Sequence, residues 1–255
     1  MLIDSHAHLN VRAFDDDRQD VIRRAREHGI GRIINIGFNR ETIPGSIALA
    51  EQHDFIYSTV GWHPTDAAFM TADDLDWIES LCRHEKVVAI GEIGLDYYWD
   101  TSPKDVQMKV FREQIRLARK LGMPIVIHNR DAHQDIVQVL REEKAADVGG
   151  VMHCFSGSWE TAKLCLDMNF YISFGGPITF KNARQPKEVL SRVPMERLLI
   201  ETDAPYLTPH PFRGKRNESA HVKLVAEAAA EIKGISFDEL AQVTTDNATK
   251  LFGLS

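Results

Sequence analysis

Short apolar runs alternate with longer amphipathic stretches along the chain. There are eight such runs, and consecutive runs begin 21 to 37 residues apart, a spacing typical of repeated strand–helix units. The runs begin at Leu2, Arg32, Ile56, Val87, Pro124, Gly150, Tyr171 and Leu198. We therefore predict eight parallel strands, each followed by a helical stretch.

Signals for helix ends mark the stretches between the runs. Ser102 before Pro103 predicts an N-cap and a first helical residue after the fourth run, and Gly122 predicts the end of that helix. Ser236 with Glu239 predicts a capping box at the start of the last helix. These signals support helices between the predicted strands.

The length of the chain agrees with one closed α/β barrel. Its 255 residues fit a single (β/α)8 TIM barrel, because such barrels commonly reach about 250 residues. No Pro-, Gly- or Ser-rich linker divides the sequence, so we predict one TIM-barrel domain over residues 1–255. A doubly wound open sheet is the alternative, since the number of strands does not exclude it.

Histidine and carboxylate residues stand at or just after the ends of five of the runs. In a closed parallel barrel these ends meet at one mouth, where such enzymes keep their active sites. An open sheet would spread the same residues along an edge, so their shared chemistry favours the barrel. The residues are His6, His8, Glu92, His128, His153, Glu201 and Asp203.

These residue types suit a divalent metal centre. Positions i and i+2 of a strand point the same way, so His6 and His8 can hold one ion. A single His-x-His pair is weak evidence, but imidazoles and carboxylates at five strand ends together indicate metal binding. The set exceeds the needs of one tetrahedral ion. We therefore expect two divalent ions, drawn from Mg, Mn, Zn, Ni or Fe, with Glu92 as the bridging carboxylate.

The composition of the chain limits the kinds of molecule that it can bind. The formal net charge is −7, which excludes a generic basic nucleic-acid binder, so phosphate contacts must come from a local patch or from bound metal. The sequence has three cysteines and no CxxC pair. Its N-terminus is unlike a signal peptide, and it contains no apolar run of about 18 residues. We expect a cytoplasmic protein that does not enter a membrane.

Longer motifs around the same residues resemble the TatD family of metal-dependent deoxyribonucleases, which are amidohydrolase-like TIM barrels, and in particular its YcfH/YabD-like bacterial members. The motifs follow one another in order from residue 3 to residue 218. They are IDSHAH at 3–8, GWHP at 61–64, GEIGLDYY at 91–98, HNRDA at 128–132, HCFSGS at 153–158, ETDAPYL at 201–207 and RGKRNE at 213–218. Ser219 departs from the family, which often has Pro there.

The resemblance implies roles for the metal-binding candidates. His6, His8 and Asp203 would hold the first metal, His128 and His153 the second, and Glu92 both. Two such ions can acidify a water molecule and clamp the attacking and leaving oxygens of a phosphodiester. Asp203 could take the proton from that water, so Asp203 and Glu92 are the candidate catalytic residues. The resemblance further implies a 3′→5′ exonuclease that prefers single-stranded DNA ends.

A second set of residues is expected to contact the substrate. Arg213 follows the eighth strand, where barrel enzymes often bind phosphate, and Lys215 and Arg216 accompany it. His63 and Arg130 also follow strand ends at the mouth. Candidates for stacking on bases, each of which could equally be a packing residue, are Tyr206, Phe212, Trp62 and Tyr97.

Two other functions are compatible with the same residues. A metal-dependent deacylase or amidohydrolase, acting for example on the ester of an aminoacyl-tRNA, would use the same metal pair, and its product would be a free amino acid rather than mononucleotides. A non-catalytic binding scaffold could keep the metals for structure, but the net charge of −7 argues against it.

Overall fold

The computed structural model describes residues 1–254, and in this range eight parallel strands form one sheet in chain order, from β1 to β8. The strands are Leu2–Ala7 (β1), Ile30–Gly37 (β2), Ile56–Val60 (β3), Val87–Asp96 (β4), Ile125–Arg130 (β5), Gly150–Met152 (β6), Phe170–Phe174 (β7) and Leu198–Ile200 (β8). Ala7 pairs with Ala204, and Ser5 Oγ donates to Ile200 O at 2.9 Å. These contacts bring the first strand to the last and close the barrel.

Helices surround the barrel and follow the strands in sequence. They are Arg18–Glu27 (α1), Thr42–Gln52 (α2), Ala72–Leu81 (α3), Lys104–Leu121 (α4), His133–Glu142 (α5), Trp159–Asp167 (α6), Arg184–Arg192 (α7), Val222–Lys233 (α8) and Phe237–Phe252 (α9). The predicted (β/α)8 TIM barrel is therefore confirmed, and the alternative of an open sheet is wrong. No helix within residues 1–254 has both the length and the apolar character needed to cross a membrane.

Alternation along the strands produces two apolar layers. Ile34 and Ile36 pack with Val126 and Leu199 inside the barrel, whereas Ile33 faces the surrounding helices. This alternation follows from the two-residue repeat of a strand. At the N-terminal ends of the strands, the interior layer is extended by Ala248 and Phe252 of α9 and by Leu254 just after this helix. That end of the barrel is covered by apolar residues, and the polar strand ends lie at the opposite mouth.

Two local predictions need correction. Ser102 is not an N-cap, because its hydroxyl donates to Thr65 O at 2.9 Å and accepts from the Ala68 N–H at 3.0 Å. The helix α4 begins at Lys104 instead, and ends as predicted at Gly122, which has a φ of 68°. The fourth strand also runs further than the apolar run indicates. It extends to Asp96 and therefore contains Glu92.

Candidate metal centre

The barrel brings together the six residues that the sequence nominates as metal ligands. His6 lies in β1, Glu92 in β4 and His128 in β5. The other three, which follow β1, β6 and β8, are His8, His153 and Asp203. Five of the six are buried and the side chain of His128 is 17% exposed. Buried polar side chains of this kind require partners, and here they are one another's partners.

Glu92 lies at the centre of the cluster and faces two groups of imidazoles. Its Oε2 is 3.4 Å from His6 Nε2 and 3.7 Å from His8 Nε2. Its Oε1 is 2.8 Å from His128 Nδ1 and 2.9 Å from His153 Nε2. Each carboxylate oxygen thus belongs to a different group. This is the arrangement that a bridging carboxylate requires.

The first group has a donor set that suits a cation. His6 Nε2 and His8 Nε2 are 3.1 Å apart, and Asp203 Oδ1 lies 3.6 Å and 3.3 Å from them. The Nδ1 atoms of both rings are buried without a hydrogen-bond partner among the described residues. At most one proton can lie between the two facing nitrogens. A borderline divalent metal fits this group of nitrogen and oxygen lone pairs.

The second group has a carboxylate on the outer side of each imidazole. Asp96 Oδ2 lies 2.8 Å from His128 Nε2, and Glu201 Oε1 lies 3.1 Å from His153 Nδ1. A metal-binding histidine commonly uses its second ring nitrogen in this way, because the carboxylate fixes the tautomer and the orientation of the ring. The residues of the second group therefore also fit a divalent metal.

Sequence reasoning assigned no role to Asp96. The available signal was the alternation of residues 92, 94 and 96, which share one face of a strand, but the apolar run ends at Ile90. Gly94 allows this extension of the strand, because it has a φ of 149° and a Cβ at that position would lie 2.0 Å from His128 O. The close approach of β4 to β5 brings Glu92 and Asp96 to the two nitrogens of His128.

The carboxylates and imidazoles shift one another's pKa values. Burial by itself lowers the pKa of His153, but the carboxylates of Glu92 and Glu201 outweigh it and hold that pKa well above its usual value. Burial by itself raises the pKa of Glu92, but the rings of His153, His6 and His63 hold it well below its usual value. The cluster thus keeps its carboxylates ionised and ready to hold positive charge.

His63 lines the cluster but presents a proton to it. Its Nε2 is 3.6 Å from Glu92 Oε1, while its Nδ1 accepts from the Thr65 N–H at 3.3 Å and lies 2.6 Å from Thr65 Oγ1. Burial and the neighbouring His128 lower the pKa of His63, so the ring is neutral. Because a backbone N–H can only donate, Nδ1 has the lone pair and Nε2 has the hydrogen.

The other three substrate-binding candidates are exposed to solvent. The Tyr206 side chain is 54% exposed, and its ring lies 5.9 Å from the ring of His8. The guanidinium of Arg130 stacks on the Tyr98 ring at 3.8 Å, and that of Arg213 stacks on the Phe180 ring at 4.5 Å. Both guanidinium groups are thus held against aromatic faces.

Three further candidates are already occupied by internal contacts. Trp62 is buried and its Nε1 donates to Asp66 O at 2.8 Å, so it is a packing residue. The Tyr97 hydroxyl donates to an Asp135 oxygen at 2.6 Å. Arg216 binds Asp17 Oδ2 at 2.6 Å, on the side of the barrel next to α1. Phe212 is partly exposed and stacks on His221 with ring centroids 4.9 Å apart.

Comparisons with known proteins agree with this architecture. A family model described as TatD related DNase matches residues 3–253. The metal-dependent hydrolase YabD of Bacillus subtilis strain 168 is 58% identical over 255 residues, which cover 100% of both chains. A relative named 3′-5′ ssDNA/RNA exonuclease TatD, from Pantoea ananatis, is 36% identical and is matched over 99% of this chain and 100% of its own. The crystal structure of YjjV, a TatD homologue from Escherichia coli K12, has a TM-score of 0.94 and 31% identity, with 100% of this chain and 98% of that chain covered.

Proposed function

The chain belongs to the TatD-related DNase family of metal-dependent hydrolases, and we propose that it is a deoxyribonuclease that degrades single-stranded DNA from the 3′ end. The observation that carries the proposal is the position of Glu92 between two groups of imidazoles. Two cations about this carboxylate would offer phosphate a positive centre in a chain of net charge −7. The 3′→5′ direction and the single-stranded substrate are supported by the name of the Pantoea ananatis relative.

We assign His6, His8 and Asp203 to one divalent ion, His128 and His153 to a second, and Glu92 to both. When bound, the two ions polarise the phosphodiester and make a water molecule more acidic. Asp203 is suited to accept the proton of that water. The rings of His8, His153 and His6 lower its pKa against the effect of burial and keep it ionised.

Residues around the cluster would orient the strand. His63 Nε2, which has the hydrogen, lies 3.6 Å from Glu92 Oε1 and would be able to donate to a non-bridging oxygen of a phosphate bound at the cluster. The guanidinium groups of Arg130 and Arg213 are suited to neighbouring phosphates, since each offers a planar set of donors. Tyr206, beside His8, is suited to contact a sugar or a base. The assignments of Arg130 and Arg213 are supported by their exposure and charge.

The proposal is tested with single-stranded oligonucleotides labelled at either end. Chelator-treated protein is supplied with Mg, Mn or Zn, or with no metal, beside Glu92→Gln and the matched control Glu188→Gln, whose side chain is 61% exposed on α7. We expect a metal-dependent ladder from the 5′-labelled strand and a labelled mononucleotide from the 3′-labelled strand. Glu188→Gln should behave like the wild type, and Glu92→Gln should be inactive.

The same preparation is tested on aminoacyl-tRNA. Release of a free amino acid with intact RNA, together with no cleavage of DNA by folded and metal-loaded protein, would overturn the nuclease proposal in favour of a deacylase.

We also propose a cytoplasmic location, which is supported by the small number of cysteines and the absence of a paired CxxC motif.

A further inference from the structure

Two adjacent aromatic side chains beside the metal cluster have no place in the functions assigned so far. Tyr98 and Trp99 lie two and three residues after the end of β4, and they are 55% and 52% exposed. Their ring centroids are 4.9 Å apart with an interplanar angle of 90°. Large exposed aromatic groups leave apolar surface in water, and clusters of such groups commonly mark binding sites. This pair, which we name the aromatic step, is therefore a candidate binding surface.

Two backbone hydrogen bonds hold the aromatic step beside the metal cluster. Asp96 Oδ1 accepts the N–H groups of both Tyr98 and Trp99 at 3.0 Å. The other oxygen of the same buried carboxylate lies 2.8 Å from His128 Nε2. One carboxylate thus fixes the backbone of the aromatic step and the ring of a proposed metal ligand. A group bound on the step is placed at a fixed position relative to the metal cluster.

The chemistry around the aromatic step suits a nucleotide. The Arg130 guanidinium lies 3.8 Å from the centroid of the Tyr98 ring and 5.7 Å from that of Trp99. An aromatic face beside a cation offers stacking to a base and charge to its phosphate. A base inside a duplex has its faces covered by its neighbours, whereas an unpaired base has a free face. The aromatic step therefore favours a single strand or a frayed end.

We propose that Tyr98 and Trp99 form a stacking subsite for an unpaired nucleobase of the strand whose phosphodiester is hydrolysed at the metal cluster. This inference rests on the proposed nuclease function and deepens it, because it places the preference for single strands on particular residues. Stacking does not distinguish one base from another. The aromatic step should therefore act on nucleic acid of any sequence.

A cycle that removes the aromatic ring and the base separately tests this assignment. Trp99→Ala and the wild type are compared on an oligonucleotide with every base present and on oligonucleotides with one abasic position near the 3′ end. We expect Trp99→Ala to raise the KM about tenfold, and removal of the stacked base to raise the KM of the wild type to a similar extent. The two changes together should raise the KM no more than either change does alone. If the increase in KM for both changes equalled the product of the two separate increases, the inference would be overturned.

Binding is measured independently of cleavage. The Kd for a phosphorothioate-linked oligonucleotide, which resists hydrolysis, is obtained by fluorescence anisotropy with the metal-loaded protein. Trp99→Phe keeps a stacking ring and should restore most of the affinity that Trp99→Ala loses. Arg130→Ala is compared with Arg26→Ala, since Arg26 stacks on Phe55 at 4.3 Å at the opposite end of the barrel. We expect only Arg130→Ala to weaken binding.

A fully abasic oligonucleotide distinguishes failure of the stacking subsite from failure of the proposed nuclease function. Metal-dependent cleavage of that strand by the wild type, with an undiminished rate for Trp99→Ala, is the expected result. If neither the intact nor the abasic strand is cleaved, the nuclease function itself is wrong. If both are cleaved and Trp99→Ala binds the intact strand as tightly as the wild type, the nuclease function stands and the stacking subsite is wrong.

Discussion

Asp96 and Glu92 hold His128 between two carboxylates, with Asp96 Oδ2 2.8 Å from Nε2 and Glu92 Oε1 2.8 Å from Nδ1. Burial by itself raises the pKa of Asp96, but the hydrogen bonds from His128 and from two backbone N–H groups outweigh it and lower that pKa. An ionised carboxylate only accepts hydrogen bonds, and Glu92 is ionised as well, so both ring nitrogens donate in this structure and the pKa of His128 is raised against the effect of burial. A metal held by Nδ1 and Glu92 would take the place of the Nδ1 hydrogen, and Asp96 would then keep the remaining hydrogen on Nε2.

Replacing Asp96 by Asn should reverse this tautomer. The amide can keep its oxygen on the backbone of the aromatic step, and it then presents its NH2 group to His128 Nε2. The hydrogen of the ring would move to Nδ1 and block the nitrogen that faces Glu92. We expect metal affinity to fall by about 10- to 100-fold, measured by calorimetric titration of chelator-treated protein. An unchanged affinity with an unchanged melting temperature would contradict this account of Asp96.

Glu201→Gln tests the same relationship at the second imidazole. Glu201 Oε1 lies 3.1 Å from His153 Nδ1, and His153 Nε2 faces Glu92. The variant should lower metal affinity in the same direction and by a similar amount, without disturbing the aromatic step. If only Asp96→Asn weakened metal binding, the effect would belong to the Tyr98–Trp99 turn rather than to the tautomer of a ligand.

Much of the barrel was predictable from the sequence, because strands buried on both faces read as continuous apolar runs. The end of β4 was the exception. Residues 91 to 96 contain two carboxylates and two glycines, and residues 93 to 96 pair only with β5. A tertiary contact of this kind is not visible in the pattern of apolar residues. For the same reason Ser102 resembles an N-cap, although its hydroxyl binds the backbone of a distant loop.

The proposed ligands were predictable because one chemistry recurs at several strand ends. The residues that could contact the substrate were harder to predict. Trp62 is a stacking candidate in the sequence but is buried, whereas Tyr98, which was assigned no role from the sequence, is exposed. The exposure of a side chain depends on how its loop folds over the barrel, and it cannot be predicted from a sequence motif. Arg216 likewise has the charge of a phosphate ligand, but Asp17 binds it.

Metal removal should destabilise the fold as well as abolish activity. A bound ion stabilises the native state by an amount that grows with concentration, about 2.7 kcal/mol at 100 times the Kd. For a chain of this length we expect a chelator to lower the Tm by roughly 5 to 10 °C, and Mn or Zn to restore it. Differential scanning fluorimetry measures the change, and Glu92→Gln should show a smaller one. An unaltered Tm after metal loss, verified by elemental analysis, would contradict the prediction.

Asp74 should contribute stability that depends on pH. Its carboxylate accepts the Thr71 N–H at 2.8 Å and Arg40 Nε at 2.7 Å at the start of α3. Burial by itself raises its pKa, but these bonds outweigh it and lower the pKa below the ordinary 3.8. A group with a lowered pKa stabilises the fold above its unfolded pKa and loses that effect as the pH falls through the folded value.

We therefore expect Asp74→Asn to lower the free energy of unfolding by about 2 kcal/mol at neutral pH, and the difference from the wild type to vanish as the pH falls below the lowered pKa of Asp74. Urea unfolding at a series of pH values measures it. Asp73→Asn is the matched control, because Asp73 is exposed in the same helical turn. A difference that persisted in acid, or an equal loss in the control, would show that the charge of Asp74 is not responsible.

Replacing His63 tests whether this residue is a metal ligand or a hydrogen-bond donor. It lies among potential metal ligands, together with Glu92 and His128, but its Nδ1 accepts from Thr65 and its Nε2 has the hydrogen. A metal ligand must offer a lone pair. We therefore expect His63→Ala to keep its full metal content by elemental analysis and to lower kcat/KM on single-stranded DNA by about 10- to 100-fold, as for a lost hydrogen bond to a charged group. His63→Gln, which offers an N–H of similar reach, should recover part of the loss. If His63→Ala lost one equivalent of metal instead, His63 would be a ligand and the donor role would be wrong.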